Sequence, residues 1–107
     1  MLCSANVKAA VFDLDRTLLH TDKTLSDYTV SVLQACKQQG MKLMVATARP
    51  LRDTVQFREK VVFDAVTASN GAKVLCGSRF AEYGIDREAA EGLLTALQAD
   101  PDLRITL

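Results

Sequence analysis

The stretch AAVFDLDRTLLHTDKTLS, Ala9 to Ser26, sets two aspartates one residue apart at the end of an apolar run, then adds a threonine and two leucines. Two carboxylates held side by side repel each other unless a cation lies between them or one is protonated. A hard divalent ion such as Mg²⁺, which takes a few carboxylate oxygens together with water and a substrate phosphate, relieves that repulsion. Alternation in an extended segment puts Asp13 and Asp15 on the same side. One can then attack phosphorus while the other handles the proton of the leaving oxygen. An aspartate pair alone is weak evidence, because the chain holds nine aspartates and a chance D-x-D is unremarkable. What surrounds the pair must decide.

The run Lys8 to Leu14 and a second one, KLMVA at Lys42 to Ala46, suit parallel strands buried on two faces. Between them the pattern predicts a helix. Ser26 is placed to cap it, Tyr28, Val32, Leu33 and Cys36 recur at helical spacing, and Gly40 can end it in a left-handed conformation. The second strand runs into TARP, where Pro50 suits the first turn of a helix continuing through LRDTVQFREK, and a third strand is expected from Phe63 to Ala68. This βαβαβ order predicts an α/β fold with a parallel sheet and right-handed crossovers. Ser69, Asn70 and Gly71 break the pattern. AKVLCGSRFAEY then reads as two short antiparallel strands around Gly77 and Ser78. Asp86 can cap a last helix with Ala90, Leu93, Leu94 and Leu97 on one face, ended by Asp100 and Pro101. LRITL follows as a strand-like run.

Ligands of parallel α/β sheets bind in the crevice beyond the carboxyl ends of the strands, and the three strand ends here deliver DLDRT, TARP and SNGA. Thr47, at the second strand end, is suited to hydrogen-bond a phosphate oxygen. Arg49 is equally suited to a surface salt bridge and Asn70 to a left-handed turn before Gly71. His20 falls in the polar stretch after the aspartates and is read as an ordinary exposed residue, outside the site. Arg52, Arg58 and Lys60 are read as the solvated face of the second helix.

The 107 residues, 49% hydrophobic, suffice for one core and are too few for two full domains. Thirteen basic and thirteen acidic side chains cancel, and neither sign forms a run of five, so no electrostatic footprint for nucleic acid or an anionic membrane is present. A small molecule is the expected partner. Lys8 and Asp13 interrupt the apolar N-terminal stretch, which therefore reads as neither a secretory signal nor a membrane span, and a cytoplasmic location is expected. Cys3, Cys36 and Cys76 are odd in number and lack metal-ligand spacing, fitting reduced thiols.

Taken together, FDLDRTLL, VATARP and SNGA resemble the haloacid dehalogenase-like (HAD) superfamily, specifically its sugar-phosphatase-like branch with an α/β cap. The resemblance covers nearly the whole chain. It implies a Rossmann-like parallel three-layer core, incomplete, over residues 1–71, followed by the beginning of a cap over 72–107. It implies a phosphohydrolase of small phosphorylated metabolites in which Asp13 is the nucleophile, forming an aspartyl-phosphate, and Asp15 the general acid/base. Asp13 and the backbone carbonyl of Asp15 would hold Mg²⁺, Thr47 would bind phosphate, and Arg49 and Asn70 would face the substrate. Two departures stand out. Arg16 occupies a position where this branch usually has glycine, and a positive φ there would strain it. The third motif's lysine and the fourth motif's acidic pair are also absent, since the last lysine is Lys73 and no DD or GDxxxD occurs. In the family these follow the cap, so the alternative to an enzyme is a non-catalytic fragment keeping the fold and a weak metal site. A sheet cut off after three core strands, with LRITL unpaired, would leave edges that invite self-association.

Overall fold

The computed structural model describes residues 7–104. Five strands form one sheet in the order β1 (Ala9–Phe12), β2 (Lys42–Ala46), β3 (Ala65–Ala68), β4 (Lys73–Cys76) and β5 (Arg79–Glu82). The first three are parallel, with Ala10 opposite Leu43 and Val45 opposite Val66, and β4 and β5 join antiparallel. The expected switch of direction therefore occurs where Ser69, Asn70 and Gly71 were read as breaking the pattern. The hairpin around Gly77, which sits at φ 60°, also falls at its expected place. Because β4 pairs along the whole of β3, the hairpin extends the core sheet across the expected boundary at residue 71.

Helix α1 (Asp27–Gln38) begins where Ser26 Oγ accepts from the Thr29 amide at 3.1 Å and ends before Gly40 at φ +90°, a conformation glycine adopts without strain. The second crossover is less regular than its pattern suggests. Pro50 precedes the helical residues instead of opening the first turn, and a 3₁₀ turn, Leu51–Thr54, leads into the single α-turn α2 (Val55–Arg58). Asp53 N donates to Pro50 O, and the Thr54 hydroxyl donates to Leu51 O at 2.7 Å, which holds the tighter turn. Of the three cations assigned to a solvated face, Arg52 and Lys60 are exposed, whereas half-buried Arg58 donates to Thr54 Oγ1.

Since β1, β2 and β3 follow one another without reversal, both crossovers lay their helices on the same sheet face. Leu43, Val45 and Val66 on that face pack with Leu33, Phe57 and Val61, and Leu14, Leu19, Leu25 and Met41 close the cluster. The opposite face is more open: Val11 is 61% exposed, so β1 is not covered on two faces as its apolar run suggests. Tyr28, expected in the apolar stripe of α1, is likewise exposed.

Asp64 ties the layers together. Its Oδ2 accepts from Lys37 Nζ of α1 at 2.9 Å and from the Leu43 amide of β2 at 2.8 Å, and its own amide donates to Leu43 O. The Leu43 amide and then Lys37 hold its carboxyl below the usual aspartate value, against a smaller opposing effect of burial.

Helix α3 (Arg87–Gln98) is capped by Asp86, whose Oδ2 accepts from the Ala89 amide. None of its residues is buried, and Leu93 of the expected apolar face is half exposed. Of the LRITL run, Leu103 and Arg104 are in no strand, and Ile105 to Leu107 lie outside the described residues, as does Cys3.

Candidate active site

The first strand stops at Phe12, and Asp13 caps a π-turn over Leu14–Leu18 instead of continuing an extended alternation. Leu18 N donates to Asp13 O and Leu19 N to Leu14 O, while buried Leu14 and Leu19 anchor the turn in the core. Asp13 is exposed, and its Oδ1 accepts from the Leu14 amide at 2.8 Å. Inside the turn Asp15 is extended and Arg16 takes φ 62°, the left-handed conformation that costs a non-glycine residue about 1 kcal/mol or more.

Asp13, Thr47 and Asn70 come from three neighbouring strand ends and line one open cavity of about 450 Å³. Thr47 is nearly buried. Its amide donates to Thr67 O, and its Oγ1 accepts from the Arg49 amide at 3.1 Å, which leaves the hydroxyl proton available to a ligand. The loops after β2 and β3 are stitched together, because Ser69 N donates to Arg49 O at 2.8 Å and Asn70 N to Thr47 O at 3.2 Å. Asn70, at φ 54°, is a left-handed turn residue and also lines the cavity.

Asp15 lines a neighbouring cavity of about 610 Å³, with Arg16, His20, Lys23 and Arg49. The two aspartates thus face adjoining spaces, and the π-turn is the reason: it bends the chain after Asp13. Arg49 forks onto Asp15, Nε to Oδ2 at 2.8 Å and Nη2 to Oδ1 at 2.7 Å, with its guanidinium 5.3 Å from the Phe57 ring centroid. The hydrogen bonds from Arg49 hold the Asp15 carboxyl below the usual aspartate value, opposed by burial, and Asp15 in turn raises Arg49.

A strand-end carboxylate, a threonine at the next strand end and a stitched third loop open on one cleft. The sequence model of the haloacid dehalogenase-like hydrolases matches residues 10–106. The chain belongs to that family. It is 35% identical over 69 or fewer residues to curated phosphatases; for the 5-amino-6-(5-phospho-D-ribitylamino)uracil phosphatase YitU of Bacillus subtilis the figure is 35% over 63 residues, 58% of this chain and 23% of that protein. Among solved structures, a haloacid dehalogenase-like hydrolase of B. subtilis is 26% identical with a TM-score of 0.73, covering 86% of this chain and 33% of its own. One from Bacteroides thetaiotaomicron is 20% identical with a TM-score of 0.76, covering 88% and 38%, a likeness that speaks for the fold alone. The chain spans about a quarter of the length of the curated relatives it matches.

Within this HAD-like frame several residues near the site went unselected in the sequence. Phe57, buried in the core, backs Arg49. His20 is exposed, as expected, and still lines the Asp15 cavity beside Lys23. Lys23 takes φ 65° in a short hairpin closed by His20 N to Thr24 O and Lys23 N to His20 O. The local signal for that turn is Asp22, whose Oδ1 accepts from the Thr24 amide, whereas the cavity joins Lys23 to Arg49, which is distant in sequence.

Proposed function

We propose that the chain carries the nucleophile side of a phosphomonoester hydrolase acting on a small phosphorylated metabolite. The observation that carries this reading is the convergence of Asp13, Thr47 and Asn70 on one cavity at the carboxyl ends of three adjacent strands, in a chain of a hydrolase family. An Asp13 carboxylate oxygen attacks phosphorus, forming the aspartyl-phosphate as the ester P–O bond breaks. The Thr47 hydroxyl and the Asn70 amide hold phosphate oxygens, and Asp15 gives the leaving oxygen its proton and then takes one from the water that hydrolyses the intermediate. For that role the Asp15–Arg49 pair must open, because the bound guanidinium keeps Asp15 ionised.

The oxygens of the Asp13 carboxylate and the Asp15 carbonyl are hard donors of the kind Mg²⁺ takes beside water and phosphate. Among the described residues no three His, Cys, Asp or Glu side chains cluster into a metal cage. Bound there, Mg²⁺ would neutralise charge on the phosphate oxygens.

A second reading, a non-catalytic fragment that keeps the fold, draws on one observation: among the described residues, Asp13 is the one charged side chain lining the Asp13 cavity. Phosphoryl transfer relies on positive charge around the transferring oxygens. No helix among the described residues is long and apolar enough to cross a membrane, and for a phosphorylated metabolite as substrate the reading places the reaction in the cytoplasm. The test is to expose the protein to acetyl phosphate with Mg²⁺, quench in acid and map phosphate by mass spectrometry. The enzyme reading expects an acid-stable, base-labile phosphate on Asp13, absent in Asp13→Asn; phosphate elsewhere, or none, favours the fragment.

A further inference from the structure

The cavity beside Asp15 holds more positive charge than its own carboxylates can neutralise. Arg49 is already committed to Asp15, and the remaining acidic group on the lining, Asp53, lies 3.8 Å from Arg52. Among the described residues, neither Arg16 nor Lys23 enters an ion pair. Asp22, next to Lys23, is turned away: its Oδ1 accepts from the Thr24 hydroxyl at 2.6 Å and the Thr24 amide at 3.1 Å. Both cations stand on left-handed backbone, Arg16 at φ 62° and Lys23 at φ 65°. A glycine would hold either position without strain, so each long cationic side chain stands there at a conformational cost. Both line the cavity onto which Asp15 opens, which places them on the acid/base side of the site.

We infer that Arg16 and Lys23 form an anion subsite on the leaving-group side of Asp15, and that the substrate is a phosphomonoester bearing a second anionic oxygen group. The inference rests on the hydrolase reading, which makes Asp15 the group that faces the leaving oxygen. The reactive phosphate occupies the Asp13 cavity, and the second group, a carboxylate or another phosphate, lies across the adjoining one.

The test titrates the protein with methyl phosphate, with phosphoglycolate and with methylene bisphosphonate at fixed ionic strength, following amide shifts by NMR. Phosphoglycolate and the bisphosphonate are expected to bind roughly threefold to tenfold more tightly than methyl phosphate, the range two exposed charge contacts support. Arg16→Gly should remove most of that preference while holding or raising the melting temperature, because it also relieves strain. Lys23→Gln should reduce the preference without that gain, and Thr47→Val should weaken all three probes alike. A preference for phosphoglycolate alone or for the bisphosphonate alone identifies the second group as carboxylate or phosphate. Equal affinity for the three probes, or a preference unchanged in both Arg16→Gly and Lys23→Gln, overturns the subsite while Thr47-dependent binding keeps the hydrolase reading. Absence of binding by any probe overturns both.

Discussion

Arg49 grips Asp15 through two parallel hydrogen bonds of 2.8 and 2.7 Å across 34 residues of chain, with the Phe57 ring behind its guanidinium. Each partner shifts the other as a true pair should, Asp15 downward and Arg49 upward. Arg49→Lys keeps the charge but loses the fork and the flat surface that rests on Phe57. The Asp15 carboxyl of that variant is expected to titrate at higher pH in a ¹³C NMR experiment. An unchanged titration would mean that the fork does not persist in solution.

Asp64 contributes to the pH dependence of the fold. Its carboxyl titrates below the unfolded value, so its contribution is present above about pH 4, the ordinary aspartate range, and is lost as pH falls through the lowered folded value. Asp64→Ala leaves the Leu43 amide without its acceptor and should cost about 1–3 kcal/mol at neutral pH. Urea melts at neutral pH and at about pH 3 check this: the gap between wild type and Asp64→Ala should shrink in acid, and a constant gap would assign the loss to packing.

Among the described residues β1 is an edge strand of the sheet, and Val11 on it is 61% exposed. An apolar, uncharged edge strand invites pairing with another chain. Self-association is accordingly expected in sedimentation velocity at rising concentration, and Val11→Lys should shift the distribution toward monomer. A wild-type protein that stays monomeric throughout would remove the edge from the account.

Much of the fold was legible because its signals are local. KLMVA from Lys42 to Ala46 is β2 to the residue, and Ser26, Gly40, Gly77 and Asp86 sit at the caps and turns their side chains, or lack of one, favour. What was not legible depends on contacts distant in sequence. The apolar run through Leu14 reads as strand, but Leu14 turns into the core and starts the π-turn, so Asp13 and Asp15 part company. Arg49 reads equally as substrate contact or salt bridge, and only the fold shows which carboxylate it meets. Apolar pattern alone likewise placed Tyr28 in the stripe of α1, although the face it occupies is left uncovered.

The central claim is phosphoryl transfer at Asp13, and hydrolysis of an aryl phosphate measures it most directly. Three proteins are compared in the presence of Mg²⁺: the 107-residue chain, the chain continued by the remaining sequence of the Bacillus subtilis relative, and the continued protein carrying Asp13→Ala. Among the described residues no cation lines the Asp13 cavity, and because each missing electrostatic group commonly costs on the order of a hundredfold in rate, the short chain should turn over negligibly. The continued protein should be active, and Asp13→Ala should lower its rate on the order of a thousandfold or more, as loss of a nucleophile does. Activity that survives Asp13→Ala would contradict the account, and robust turnover by the short chain would show that the site does not need further cations beside Asp13.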